Sequence, residues 1–578
     1  MRTRLSGWVL GGVATAAVAL LLAFLQPIGA PWWILSDPDG QYLGSSLNIL
    51  IGNHTYFLDH PGLPTQDALA VGFGGQYLLD KARGKVDNRQ QFVDRKFLDL
   101  DSARSLYRTW AVLVWIAGAL LVYWAVGRFL GHWTWGLAGG LLYLCAPALV
   151  DHAFGLRPDS PLSALCAAIA VLIAVGFTQR RAAAYAWAAA LLGLALTFKT
   201  PAIFMAVPLI VAAVWRPPAD GWGRPFAGNT LRWLRRHVYW LVPLAAVWTY
   251  ICYLFNRERL PVFTNDPQRH AALNWLLVLV FFLVAGFVAD WFRIGIVRRV
   301  FSVFTALVVV AFTLGYALPV TLILDDGIQS VVTTWDTLKG GQVNENIKLF
   351  SNFDLSTLFT YPVWSATLLV ALAVAAAVIG ARRRIWWPAL LALTALALDI
   401  SAAARLNYPN YYGPAATVAI LPALWLIKGN RIRVPLAGWV LVAALLIPVF
   451  VELKTSASGD EAVNAAAQQL ADQRLKPGEV MIVPIYTIPI EDVRFAGLVD
   501  GFVDYVPSNY PYRFLDPTSR ALQERPLKPR YYVDSAAVIA AITPGAQLEV
   551  NGHPYTLRPT TVRWGPNDAY GLAELQPS

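Results

Sequence analysis

Residues 108–130 read RTWAVLVWIAGALLVYWAVGRFL, and the only charges in that run, Arg108 and Arg128, stand near its two ends. A helix needs about 20 consecutive apolar residues to cross a bilayer core, so this stretch is written as a membrane span. Residues 7–27, 272–290, 300–322, 362–380 and 433–451 repeat the pattern. Across 578 residues the chain is 57% hydrophobic and only 14% charged, whereas about a quarter of a soluble domain is charged. A soluble enzyme, a disordered regulator and a disulfide scaffold are excluded. The formal charge of +10 invites a nucleic-acid reading, but most of the cations sit in short loops between apolar runs, where they report topology.

The three cysteines, Cys145, Cys166 and Cys252, all fall inside apolar runs. They read as small buried hydrophobes and offer neither a disulfide framework nor a metal site. The first run, with Arg2 and Arg4 before it and Gly29-Ala30 after it, has signal-peptide features. Its apolar part is long for a signal, and the topology requires it as a span.

About 13 spans follow from the apolar runs, at 7–27, 108–130, 133–150, 161–178, 183–198, 201–215, 238–255, 272–290, 300–322, 362–380, 385–402, 412–428 and 433–451. The short pair 183–198 and 201–215 also reads as re-entrant. With the N-terminus in the cytoplasm, the cytoplasmic connections carry Arg128, Arg180-Arg181, Arg216 to Arg236, Arg293 to Arg299, Arg382-Arg383-Arg384 and Lys428 to Arg433. Acidic residues such as Asp325, Asp326, Asp336, Glu345 and Asp354 fall on the other side. Positive residues inside is the expected bias.

The expected architecture is an all-α polytopic membrane domain over 1–451, followed by an extracytoplasmic α/β domain over 452–578. Within the first domain, residues 31–106 form a first external loop and 324–361 a second. Leu43, Leu47 and Leu50, then Leu69, Phe73 and Tyr77, then Phe92, Phe97 and Leu100 recur at helical spacing in the first loop. They predict amphipathic helices along the membrane surface. The tail predicts a helix near 459–475, strands at 479–486 and 530–534, and a hairpin at Asn551-Gly552.

Ionisable residues at membrane depth are costly, about 2.5–3.5 kcal/mol each on insertion scales, and are functional candidates by default. Here they gather at the outer ends of spans. Ser36-Asp37-Pro38-Asp39-Gly40-Gln41-Tyr42 opens the first external loop with two carboxylates two residues apart. Desolvation and mutual repulsion there would favour a proton-accepting carboxylate; the same residues also read as a solvated turn leading into a helix. Asp59-His60 sits on a turn held by Pro61, Gly62 and Pro64. Arg157-Pro158-Asp159 lies in the next outer loop, where an interfacial ion pair is the plainer reading. Lys199 is the only lysine between Lys96 and Lys339. A compact ammonium beside a helix start suits a phosphate, although a snorkelling lysine has the same signature. Arg405-Leu406-Asn407-Tyr408-Pro409-Asn410-Tyr411-Tyr412 brings a guanidinium and three tyrosines to the same plane. Acids able to activate a hydroxyl and cations able to grip a phosphate thus share one layer.

On these motifs the sequence resembles the GT-C superfamily of polytopic glycosyltransferases, in the branch of the protein O-mannosyltransferases and lipid A aminoarabinose transferases. The stretches that carry the likeness are DPDGQYLGSSLNILIGNHTYFLDHPGLPTQ, RPDSPLSAL, LTFKTP and RLNYPNYYGP, in that order. The resemblance covers about residues 7–450; the tail is not matched by it. Asp-Pro-Asp stands where an adjacent Asp-Glu is common in the branch, so the base is Asp39 or Asp37, with Tyr42 three residues on favouring Asp39. Asp59-His60 replaces a Glu-Lys pair.

The resemblance implies transfer of one sugar from a polyprenyl-phosphate donor to a lipid, protein or polysaccharide acceptor at the outer face, with inversion. Asp39 would deprotonate the acceptor. Lys199, Arg405, His60 and Arg157 would hold the donor phosphate, while Asp159, Tyr42, Asp59, Tyr408 and Tyr412 would shape the site. No cofactor is demanded. A divalent cation around Asp37, Asp39, Asp59 and His60 is compatible but not specified by ligand spacing. The absence of a nucleotide fingerprint accords with a lipid-linked donor, and no nucleic-acid partner is expected. Ala- and Arg-rich composition points to a bacterial inner membrane, with the site and tail outside the cytoplasm. The rival readings are a transporter or flippase for lipid-linked glycans, and an assembly protein acting through its tail.

Overall fold

The structure, a computed structural model, describes residues 2–25, 39–52, 63–145, 158–219, 363–405, 409–429, 466–484, 512–519, 521–543 and 545–578. The expected spans 238–255, 272–290, 300–322 and 433–451 and the loop 324–361 lie outside the described residues. Four described helices are long and apolar enough to cross a membrane, Ser6–Ala23, Ser105–Leu130, Asp159–Gln179 and Trp364–Arg382, and five shorter helices are apolar as well. The chain is that of a multi-pass membrane protein. It divides into two compact units, Met1–Leu21, Leu58–Thr65 and Val112–Val449 in one, Leu22–Phe57, Gln66–Ala111 and Phe450–Ser578 in the other.

In the first unit, helix α1 (Arg2–Leu25), α5 (Leu100–Leu130) and α6 (Trp133–Cys145) pack through small residues. A Cβ on Gly11 would fall 2.7 Å from the Tyr123 hydroxyl, and one on Gly139 3.1 Å from Val126. Without a hydrophobic drive between helices in lipid, such close backbone approach is a main source of association. Helices α7 (Asp159–Gln179) and α8 (Ala182–Phe198) form a tight hairpin. Arg180 turns it in the left-handed region at φ 52, and the Tyr185 ring fills the space over Gly176, where a Cβ would sit 2.6 Å away. A 3-10 turn (Thr200–Met205) leads into α9 (Ala206–Trp215), so the run expected as one span at 201–215 is bipartite, with Pro201 in the first turn of its 3-10 part. Helices α10 (Trp364–Arg382), α11 (Trp387–Arg405) and α12 (Gly413–Gly429) complete the described part of this unit.

The basic turns collect at one end of these helices. Arg180 Nε donates to the Pro217 carbonyl at 3.0 Å, and Lys428 Nζ donates to the Leu130 carbonyl at 2.6 Å. Aromatic rings line the same end, with Trp215 and Trp386 5.7 Å apart and Trp387 against both Phe129 and Trp425. Among the described residues the basic turns thus meet at one end, beside aromatic rings of the kind found at membrane interfaces.

The second unit holds α2 (Asp39–Ile51), α3 (Leu63–Ala82) and α4 (Arg89–Leu98). Leu43, Leu47, Leu50, Leu69, Phe73, Phe92 and Phe97 are all buried, the face the spacing predicts. Val71, Leu78 and Leu79 are exposed on α3. Asn88 caps α4, accepting from the Gln91 amide at 2.8 Å, while Gln91 Oε1 accepts from the Asp87 amide at 2.6 Å; these reciprocal bonds work as a capping box does. Asp99 then accepts from the Ser102 amide at 3.2 Å. Helix α5 accordingly begins at Leu100, earlier than the span at 108 that hydropathy alone marks.

The tail forms a six-stranded mixed sheet in the order β2-β1-β3-β6-β5-β4, from β1 (Glu479–Ile482), β2 (Phe514–Leu515), β3 (Lys528–Ser535), β4 (Gln547–Val550), β5 (His553–Trp564) and β6 (Tyr570–Pro577). Strand β1 runs parallel to both β2 and β3, and the remaining pairs are antiparallel. Strand alternation sends Met481 and Val533 to one core with Leu470 and Ala471 of a helix over 466–474, and Val480, Ile482 and Tyr532 to the other. Asn551 (φ 52) and Gly552 (φ 77) form the two-residue turn between β4 and β5. Positive φ at both positions is what a type I′ hairpin requires.

Candidate functional site

The local sequence explains why Lys199 leaves its helix. Pro201 follows two residues later and disfavours helical backbone before it. Lys199 is extended at φ −164 and ψ 142, its amide still bonded to the Ala195 carbonyl at 3.1 Å. Forty residues earlier, Pro158 precedes α7, which starts on Asp159. Because α7 and α8 are antiparallel neighbours, the start of one meets the end of the other.

There Lys199 Nζ lies 2.7 Å from Asp159 Oδ1, the two side chains being 12% and 4% exposed. The ammonium also sits 4.3 Å from the centre of the Tyr411 ring, which a 3-10 turn (Pro409–Tyr412) carries between α11 and α12. Three elements distant in sequence thus meet on one cation, held by a carboxylate and a ring face. Next to it, the Tyr143 hydroxyl donates to the Ser160 carbonyl at 3.0 Å. An ammonium has three N–H donors; among the described residues Asp159 and Tyr411 are the partners of this one. These two contacts leave donor capacity on the ammonium.

The other predicted residues divide as follows. Asp39 is the first residue of α2 and Arg405 the last of α11. Asp37, Asp59, His60, Arg157 and Tyr408 lie outside the described residues. Tyr42, in the second unit, and Tyr412, in the first, are buried, 1% and 0% exposed. Of the four residues considered for a divalent cation, only Asp39 is described, and then only by its place in α2. Among the described residues no three His, Cys, Asp or Glu side chains converge.

Two residues were missed by sequence reasoning. Tyr411 was indistinguishable from an aromatic-belt tyrosine. Asp399 lies inside α11, 2% exposed, and its Oδ1 has no hydrogen-bond partner among the described residues. It lies within four residues of the end of the expected span 385–402 and had no role assigned from sequence. A single Asp in a run of Leu and Ala was the available signal. In the second unit, Lys96 is buried and bonded to Ser102 Oγ beside the Phe92 ring. Burial holds its ammonium below the usual lysine range, with Asp80 and Asp99 pulling the other way.

Residues 100–257 match the family model of the dolichyl-phosphate-mannose-protein mannosyltransferases. No curated protein matches the chain. Among solved structures, the apo oligosaccharyltransferase of Archaeoglobus fulgidus aligns with 91% of this chain and 70% of its own, at 11% identity and TM-score 0.44. ArnT from Cupriavidus metallidurans aligns over 98% of both chains, at 15% identity and TM-score 0.35 in the apo state. Bound to undecaprenyl phosphate, ArnT aligns over the same shares at 16% identity and TM-score 0.32. All these scores lie below 0.5, under the level at which a superposition implies a shared fold. Over residues 100–257, the stretch that holds Asp159 and Lys199, this multi-pass membrane chain resembles the dolichyl-phosphate-mannose-protein mannosyltransferases, a family of glycosyltransferases.

Proposed function

We propose that the protein moves a single sugar from a polyprenyl-phosphate donor to an acceptor at the extracytoplasmic face, with inversion. The observation that carries the reading is the Lys199 ammonium, held by Asp159 and Tyr411 at the end of the helices away from the arginine-rich turns. The match over residues 100–257 supports it independently. A cation fixed at headgroup depth suits a phosphate whose lipid tail remains between helices.

In this reading Asp39 accepts the proton of an acceptor hydroxyl as its oxygen attacks the anomeric carbon. The new carbon–oxygen bond forms as the bond to the phosphate oxygen breaks, and the phosphate departs with the electron pair. One displacement inverts the anomeric carbon. Lys199, with Arg405, His60 and Arg157, stabilises the charge that gathers on the leaving phosphate. The tail, over 452–578, is the extracytoplasmic domain, and its partner is part of the acceptor question.

One observation favours transport instead. Asp399 is an ionisable residue within a span, as a path through the helices would have. The two readings separate in one experiment. Full-length protein in nanodiscs is given a panel of radiolabelled polyprenyl-phosphate sugars and a cell-envelope extract as acceptor. The transferase reading expects free polyprenyl phosphate and an acceptor heavier by one sugar. Movement of intact donor across proteoliposomes, with no covalent product from any donor, would replace it with the transporter.

A further inference from the structure

We infer that Asp159 is a positioning residue that weakens the hold of Lys199 on the spent lipid phosphate, so that the site prefers the product phosphomonoester over the donor phosphodiester by less than an unpaired lysine would. The inference rests on the reading of Lys199 as the phosphate-facing cation and adds a direction to it.

The argument starts from charge. A sugar-phosphate-lipid is a phosphodiester with one negative charge. Once the sugar leaves, the lipid phosphate is a monoester whose second ionisation falls near pH 6, so it is mostly a dianion at pH 8. A bare ammonium in a desolvated site would hold the dianion more tightly than the monoanion, and turnover would stall on product. Lys199 is not bare: its charge is matched by a carboxylate at 2.7 Å, with Asp159 buried and Lys199 partly buried. The Tyr411 face adds attraction for the ammonium without adding net charge.

A second anion taken up by the same ammonium cannot lie far from Asp159. Oxygens on two N–H groups of one tetrahedral nitrogen, each at about 2.7 Å, are about 4.4 Å apart. At an effective dielectric constant of about 20, each added unit of phosphate charge at about 5–6 Å from the carboxylate is opposed by roughly a hundredfold in affinity. Asp159 thus penalises the dianion more than the monoanion, while its hydrogen bond still fixes where the ammonium points. The pair holds Lys199 in place and offsets part of the gain in attraction that cleavage would otherwise bring.

The test measures binding of two ligands to full-length protein in nanodiscs at pH 8: a short-chain polyprenyl phosphate and its methyl phosphodiester. Asp159→Asn should tighten the monoester at least tenfold more than the diester, a shift in ratio that a general loosening of the site would not produce. An unchanged ratio in Asp159→Asn overturns the inference. Asp159→Ser, a second neutral variant read in the same way, decides the matter where Asp159→Asn fails to fold. Lys199→Gln separates the two levels. If it binds both ligands as wild type does, the phosphate role of Lys199 fails and the inference falls with it. If it loses both ligands while Asp159→Asn leaves the ratio unmoved, only the inference fails.

Discussion

Replacing Lys199 by methionine removes one member of a buried ion pair, and the cost can be worked from the geometry. The Asp159 side chain is 4% exposed and 2.7 Å from the ammonium. Without the cation, a carboxylate kept ionised there costs about 3–5 kcal/mol. The alternative is protonation, which from a reference value near 3.9 costs about 4 kcal/mol at pH 7. The cheaper route sets the limit, so the Lys199→Met variant should lose about 3–4 kcal/mol. At pH 5 protonation costs only about 1.5 kcal/mol, and the deficit should shrink to that size. Lys199→Met combined with Asp159→Asn removes both charges and should return to within about 1–2 kcal/mol of wild type. Unfolding in mixed micelles of dodecyl maltoside and SDS, followed by tryptophan fluorescence, gives all three values. A Lys199→Met cost below about 1 kcal/mol, or a double variant no better than the single one, would refute the reasoning.

Three other outcomes are expected. Gly552→Ala places a side chain at φ 77 in the β4–β5 turn; it should cost about 1–2 kcal/mol and speed amide exchange in those two strands of the full-length protein. Lys96, held below its usual range by burial, binds fewer protons folded than unfolded, so wild-type stability should rise with pH from the lowered folded value up to about 10.5. Lys96→Met should abolish that rise, and a pH profile unchanged by the substitution would contradict the burial argument. Asp399 Oδ1 makes no hydrogen bond among the described residues, so Asp399→Asn should leave the melting temperature unchanged or higher. A fall of more than about 5 °C would show that the carboxylate holds the helices together.

The apolar runs carried most of the helical architecture, because a 20-residue span has to satisfy lipid along its whole length. The turn at Asn551-Gly552 was equally legible, since few residue pairs accept positive φ twice. Lys199 stood out through its isolation among arginines and Asp159 through its place before a span, but their pairing did not. Asp159 is distant in sequence, and the two meet through the α7–α8 hairpin, whose register depends on how Tyr185 seats over Gly176. Tyr411 was hidden for a related reason: composition cannot tell a tyrosine facing lipid from one facing a cation. Asp399 was masked by the run around it, since hydropathy averages over a helix and does not resolve its faces. Helix α5 began early because the Asp99 cap, a local hydrogen bond, outweighs the polar character of residues 101–105.

The central claim is that Asp39 performs the chemistry while Lys199 holds the donor, and one comparison tests it directly. Donor affinity and turnover are measured separately, in nanodiscs with the productive donor and acceptor, for wild type, Asp39→Asn and Lys199→Ala. The account predicts that Asp39→Asn keeps donor affinity within a few fold and loses about 10²–10⁴-fold in turnover, the range of a general base. Lys199→Ala should lose donor affinity. Turnover by Asp39→Asn equal to wild type would contradict the account at its centre.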